Sequence, residues 1–523
     1  MKSNKIYVKA LIAVMIACQA ITFVACNDDD EEEPTPTEQK QEPKPVENPE
    51  QKDEPKDDNK GNDEPEQVEE SKSETNLNRA IKLMDAAVAH YFEGDDMKMY
   101  RFYNAKMNRR FNGAGGGEIG SVWMYTSSIE AINSILEALK EVQAINTELY
   151  NNNFSRYVEL LDKLYDCLEY YAGTYTLTSY TQTKEWTVYG VNRSIYKGQA
   201  EVTGVMNVYD DNEWLVCEMV RAYNVTGDAK FLEKAEYLAS YVLDGWDCDY
   251  ANGEEIGGIT WGPGYATKHA CSNAPMIAPL VRLYNIYKGK DDQITYRIIN
   301  KDTRERESVT TTKAEYYLNF AKKIYDWQHR YLLRPDGVYA DLMEVSGDLN
   351  DREIVDGEFY RKGLPLTKYA GDAWTYNSGT MVSGAAELYK ATNDDVYMEH
   401  LEKLIDDTRA YFARYKSGYE DFISYAGHGP GENEFRQWFA DVLMTGYVEA
   451  YSVITSAELP IKIFQKTLDF AWDNYRSNTT LPPDLISGWL ASDGEFEYRV
   501  EALTTFAYIS EYAQLASHEM AKN

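Results

Sequence analysis

Tyr223-Asn224-Val225-Thr226-Gly227-Asp228-Ala229-Lys230-Phe231-Leu232-Glu233 is the stretch on which the fold reading turns. At a constant offset of 166 residues, Tyr389, Thr392, Asp394, Tyr397, Met398 and Glu399 repeat its Tyr223, Thr226, Asp228, Phe231, Leu232 and Glu233. In each copy one helical pattern ends at the tyrosine. Thr-x-Asp then makes a tight turn, and the aspartate is placed to accept from the free N–H groups of the next helix. That helix must return antiparallel. A third copy starts at Leu283-Tyr284 and Lys288-Gly289, split by an insertion at 291–312 before Tyr317-Leu318.

Working outward, twelve helical patterns fill 76–523, at 76–92, 119–144, 152–172, 209–224, 228–246, 268–288, 313–331, 374–391, 395–416, 435–456, 459–475 and 497–519. Strand-like alternation is confined to Thr174–Val208 and to Gln293–Thr312, the latter reading as a hairpin. Paired helices in this number predict an all-α fold, an (α/α)6 barrel of six helical hairpins with small β-hairpin insertions. An open helical superhelix is the alternative.

The alternate helices, starting near 121, 209, 269, 374, 435 and 497, carry small residues such as Ser383, Gly384, Ala385 and Ala386, which suit a crowded inner ring. Inner helices of an alternating toroid run parallel, so their N-terminal ends converge on one face. Those ends are polar and aromatic: Trp123 and Tyr125; Tyr209 to Trp214; His269, Ser272 and Asn273; Trp374, Tyr376 and Asn377; Arg436, Gln437 and Trp438. A mouth of that composition suits carbohydrate.

Within it, Tyr209-Asp210-Asp211-Asn212-Glu213-Trp214 is the sharpest signal. Asp394-Asp395 and Asp406-Asp407 read as solvated pairs. Asp210-Asp211 instead opens an apolar helix. Two buried neighbouring carboxyls resist ionising together, which splits them into a nucleophile and an acid. Capping of the helix by Asp210 is the plain structural alternative. Neighbouring Cα atoms lie about 3.8 Å apart, which favours the carboxyl spacing of retaining glycosidases, about 5–5.5 Å, over that of inverting ones.

Several pieces resemble glycoside hydrolase family 76, the bacterial endo-α-1,6-mannanases with fungal cell-wall relatives. They are Tyr209-Asp210-Asp211-Asn212 with Trp214, the Arg221-Ala222-Tyr223 to Thr226-Gly227-Asp228 turn, Gly257-Gly258-Ile259 with Trp261, Lys268 to Asn273, and Tyr376-Asn377-Ser378-Gly379. The resemblance implies an (α/α)6 fold, Asp210 as nucleophile and Asp211 as general acid/base. It implies a mannan-type polysaccharide as substrate, which the mouth residues Tyr209, Trp214, Trp123, Trp261, Asn273, Trp374, Tyr376 and Asn377 are expected to bind; no cofactor is expected, and six scattered histidines argue against a metal site. A glycan-binding protein without turnover and a transglycosylase are the competing readings.

Composition sets the outer limits. The chain has 523 residues and a net charge of -33. That acidity argues against nucleic acid as partner, and nothing requires more than a monomer. Residues 1–25 read as a signal peptide: Lys2, Lys5 and Lys9 precede the apolar run Ala10–Ala25, which ends before Cys26. The pattern resembles a bacterial lipoprotein signal with Cys26 lipidated, which would make the lipid anchor the only membrane contact. Asn27–Thr75 holds 20 acids, 6 lysines, 7 prolines and no aromatic residue, too little to fold alone. Asp28 to Glu33 directly after the cysteine resembles a surface-export signal, so an outer-membrane, cell-surface location is expected. Residues 26–75 are thus a linker and 76–523 the catalytic domain. Cys167, Cys217, Cys248 and Cys271 have no metal spacing and read as buried thiols, with one disulfide possible.

Overall fold

The Thr-x-Asp repeat folds the same way twice. The Thr226 and Thr392 hydroxyls donate to the carbonyls of Ala222 and Leu388, at 2.6 and 2.7 Å. Gly227 and Asn393 follow in the left-handed conformation, and their N–H groups bond Tyr223 and Tyr389, each at 2.7 Å. Asp228 and Asp394 then accept from the N–H of Lys230 and Val396, at 3.1 and 3.2 Å. The offset read in the sequence is therefore a repeated set of turn hydrogen bonds.

The computed structural model describes residues 70–110, 119–415, 423–425, 437–485, 488–489 and 498–522. The expected signal peptide, Cys26, most of the 26–75 linker and Arg436 lie outside them.

Twelve helices stand among the described residues: α1 Lys72–Tyr91, α2 Val122–Val142, α3 Thr147–Leu168, α4 Tyr209–Thr226, α5 Ala229–Asp244, α6 Ile277–Tyr287, α7 Lys313–Leu332, α8 Thr375–Thr392, α9 Asp395–Phe412, α10 Gln437–Tyr451, α11 Glu458–Asn474 and α12 Ala502–Ala521. The even helices pack in a closed cycle, α2 on α4, then α6, α8, α10, α12 and back to α2, while each odd helix packs outside. This is the expected (α/α)6 barrel. The inner helices α2, α8, α10 and α12 are buried on nearly every face, and the outer ones on one stripe. No helix among the described residues is long and apolar enough to cross a membrane.

The inner ring closes tightly where it lacks side chains. A Cβ on Gly379 of α8 would lie 2.7 Å from Leu443 Cα, and one on Gly446 of α10 would lie 2.6 Å from the Gly379 carbonyl. The Ser378-Gly379 motif is thus a helix-contact requirement.

Three expectations need correction. The first helix starts at Lys72, inside the segment expected to be linker, because Ser71 and Glu74 form a capping box. The pattern at 268–288 is helical only from Ile277. Lys268–His269 pair in a sheet with Leu342–Val345, and two 3-10 turns follow, the second containing Pro275. Strands are also more widespread than alternation suggested. Besides the hairpins Ala172–Thr178/Thr183–Tyr189 and Gln293–Ile299/Arg306–Thr312, the connection before α8 holds Arg352–Val355 paired with Glu358–Arg361, and Leu342–Val345 paired with Leu366–Ala370.

Two substitutions rank these constraints. Asp228→Ala removes one cap and should cost about 1 kcal/mol. Gly446→Leu forces α8 and α10 apart and should cost more, about 3 kcal/mol or beyond. Urea unfolding of both variants measures the order.

Candidate functional site

Helix α4 begins at Tyr209 without a side-chain cap, since its N-cap is Val208. Asn212 supplies the anchor: its Oδ1 accepts from the Tyr189 N–H at 3.0 Å, and its Nδ2 donates to the Tyr189 and Val208 carbonyls, at 3.1 and 3.0 Å. The helix start is thereby tied to the end of a strand, and Asp210 caps only the N–H of its neighbour Asp211.

The two carboxyls differ in their donors. Asp210 Oδ1 accepts from the Asp211 N–H at 3.0 Å, and Oδ2 from the Trp261 indole N–H at 3.2 Å. The Cys271 thiol beside Asp210 also favours its charged form. Burial raises Asp210, but these donors hold it to about 6. Asp211, 8% exposed, is pushed well above the carboxylate range by burial and by the Asp210 charge, and no donor offsets it. Asp210 therefore loses its proton first and Asp211 keeps one.

Trp261 is positioned by the segment before α6. Its carbonyl accepts from the Tyr209 N–H at 2.8 Å and its N–H donates to Thr267 at 3.0 Å. The neutral His269, lowered to about 4 by burial, stacks on the indole with centroids 4.9 Å apart. Gly258, at φ 78°, passes so close to Trp327 that a Cβ would lie 2.5 Å from the ring. Beneath it Lys268 and Asp247 form a buried ion pair at 2.8 Å. The Gly257-Gly258 and Lys268–Asn273 motifs are thus the mount of one indole.

The remaining expected site residues divide. Tyr376 joins the centre: its hydroxyl donates to Asp341 Oδ1 at 3.4 Å, and burial beside Cys271, Asp341 and Asp210 keeps it protonated. Trp123 and Trp374 pack on Phe439, with centroids 5.9 and 5.1 Å apart, and Tyr376 lies 4.7 Å from the same ring. Asn377 is wholly buried and neither amide atom has a partner among the described residues.

Three residues stand elsewhere. The Tyr209 ring is 1% exposed and packs against Tyr241 and Gly245, facing the core. Asn273 spends its amide on the backbone of Ile259 and His269, at 2.7 to 2.9 Å. Trp214 meets Trp438 edge to face at 4.9 Å and borders a cavity of about 340 Å³ among Glu218, Arg221 and Arg282 further along the inner helices. Tyr209 and Asn273 are scaffold because a backbone-bonded helix start and a turn before a short helix each need them.

Sequence reasoning missed four groups. Asp341, raised to about 6 by burial despite its Tyr376 bond, feels the charges of Asp372 and Asp210. It comes from a connection without periodicity. The sequence marks Cys271 only as a buried thiol, and Phe439 is hidden in an apolar run. Glu213 lay in the quoted motif itself; it is wholly buried, with both oxygens unpartnered among the described residues, and burial together with Asp210 keeps it protonated. The four cysteines are free thiols. Among the described residues no group of His, Cys, Asp and Glu is arranged to hold a metal.

Glu213 yields a stability prediction. Its folded pKa lies above its unfolded one, so its contribution is complete below the unfolded value and is lost as pH rises toward the folded value. Glu213→Gln should match the parent's Tm at pH 4 and exceed it at pH 8, by calorimetry.

The profile of glycosyl hydrolase family 76 matches residues 159–296 and 309–507. A family 76 mannosidase from Bacteroides thetaiotaomicron superposes with TM-score 0.60 at 21% identity, covering 86% of this chain and all of that one. An inactive double-aspartate variant of an α-1,6-mannanase from Salegentibacter sp. HEL1_6, in complex with α-1,6-mannotriose, superposes with TM-score 0.53 at 17% identity, over 85% of this chain and 99% of the other. A mannan endo-1,6-alpha-mannosidase of Saccharomyces cerevisiae is 25% identical over 45% of each chain. The curated relatives are matched over less than half of their own length, from 29% to 45% for the Candida glabrata and Saccharomyces cerevisiae proteins.

Proposed function

The chain belongs to glycosyl hydrolase family 76, and from that membership we propose that it is an endo-acting, retaining hydrolase of α-1,6-mannosidic linkages in mannan at the cell surface. The observation that carries the reading is the unequal provision for two adjacent buried acids. Asp210 accepts from the Trp261 indole and the Asp211 N–H and lies beside the Cys271 thiol; Asp211 has no donor among the described residues. The linkage and polymer follow the relatives, whose names specify α-1,6-mannan. The expected Cys26 lipid and acidic linker support the surface location.

The chemistry follows from that asymmetry. Ionised Asp210 attacks the anomeric carbon while Asp211 gives its proton to the departing glycosidic oxygen. Asp211, now a carboxylate, takes a proton from water, which attacks the same carbon and releases Asp210. The helix N-terminus favours the Asp210 charge throughout. Tyr376, Trp123 and Trp374 give the sugar rings apolar faces.

Five outcomes test this. Asp210→Asn should abolish turnover on every substrate. Asp211→Asn should fail on mannan, keep the first step on an aryl mannoside, and be accelerated by azide to an α-mannosyl azide. The first product released from mannan should be the α anomer by NMR; a β anomer would mean inversion and refute the two-step scheme. The pH profile of kcat/KM should fall below about 6 as Asp210 protonates. Trp261→Phe removes a donor to the charged form, so that limb should move upward in pH.

A further inference from the structure

A second groove lies on the far side of the Trp261 mount, between the two hairpins inserted around α7. It encloses about 490 Å³ and is lined by Asp249, Tyr250, Arg304, Arg352, Glu353 and Lys362, with smaller neighbours. Its acids are already committed. Asp249 takes the Arg304 guanidinium, the Gly363 N–H at 3.1 Å and the Tyr250 N–H at 2.7 Å. Glu353 pairs with Arg306, which is 4% exposed, sits 3.8 Å over the Tyr360 ring and does not line the groove.

Two of the three cations are not committed. Among the described residues neither Arg352 nor Lys362 has an acidic partner; Arg352 bonds only backbone carbonyls. Arg304 pairs with Asp249 through Nη2, and its buried Nη1 has no acceptor among the described residues. The groove thus offers donors and positive charge, in a chain whose net charge is -33. A neutral sugar needs acceptors as well as donors; a tetrahedral oxyanion needs donors alone. The Tyr250 ring, with the Arg304 guanidinium 5.5 Å over it, adds an aromatic wall suited to a sugar face.

A chain of contacts runs from the groove to the Trp261 mount. Arg361, beside Lys362, donates to the Tyr265 carbonyl, and the Tyr265 ring lies 4.6 Å from Trp261, whose indole bonds Asp210. We propose that this groove binds a phosphate or similar oxyanion ester carried on the polysaccharide, so that the enzyme prefers mannan with anionic substituents. The proposal rests on the mannan reading above.

The test compares linear α-1,6-mannan, the same mannan phosphorylated at low density, and inorganic phosphate, using the full chain and the Arg352→Ala/Lys362→Ala double variant. Both side chains are exposed, so folding should survive; Lys362→Glu is the second variant. The double variant should raise KM for phosphorylated mannan about 5-fold with kcat unchanged, leave neutral mannan unchanged, and lose the difference in high salt. Lys362→Glu should weaken it further. Equal KM values for the two polymers in the parent, or an equal loss on both in the variants, would overturn the proposal. Inhibition of neutral-mannan cleavage by inorganic phosphate at the same concentration of groups would overturn the glycan assignment in favour of a free-oxyanion site. Retention in affinity electrophoresis on the two polymers decides the groove independently of turnover. A chain that cleaves neither polymer but is retarded by the phosphorylated one keeps the groove and refutes the mannanase reading.

Discussion

The Trp261 indole N–H on Asp210 is the interaction from which the rest of the site is organised. Two carboxyls on successive residues, both inside a protein, are a costly arrangement, because each disfavours the other's charge. The cost is offset by aiming donors at one of them. Everything around Trp261 serves that aim: the Tyr209 N–H on its carbonyl, the His269 ring on its face, and the Lys268–Asp247 pair beneath the Gly258 turn. The barrel supplies the other half by delivering the Asp pair at the start of an inner helix, with Asn212 fastening that start to a strand.

This dependence explains why scaffold and site share the same motifs. Gly257-Gly258, Lys268 and Asn273 sit near the chemistry without a free polar atom to offer a sugar. Asn273 has its amide filled by Ile259 and His269, and Lys268 has its ammonium filled by Asp247 and the Gly257 carbonyl. Gly379 and Gly446 let α8 and α10 touch, which brings Tyr376 and Phe439 together. A short motif in such a barrel marks what holds the reacting groups as often as the groups themselves.

The sequence was most legible where chemistry repeats locally. The Thr-x-Asp turns predicted antiparallel helix pairs, because caps and left-handed C-terminal residues act within a few positions. The Asp pair was legible because acids at the head of an apolar helix are conspicuous. Asp341 and Phe439 were not, since their place at the cleft comes from contacts between distant segments. Tyr209 misled for the opposite reason: a ring beside a reactive pair in sequence points to the other side of a helix in space. Cys271 and Glu213 were visible as letters, but only burial against Asp210 gives them meaning.

The central claim is that at neutral pH Asp211 carries the proton and Asp210 the charge. Neutron diffraction of the deuterated protein at pH 7 reads this directly. The account predicts nuclear density for a deuteron on an Asp211 oxygen, none on Asp210, and a deuteron on Trp261 Nε1 directed at Asp210 Oδ2. A deuteron on Asp210 with a bare Asp211, or two bare carboxylates, would contradict it.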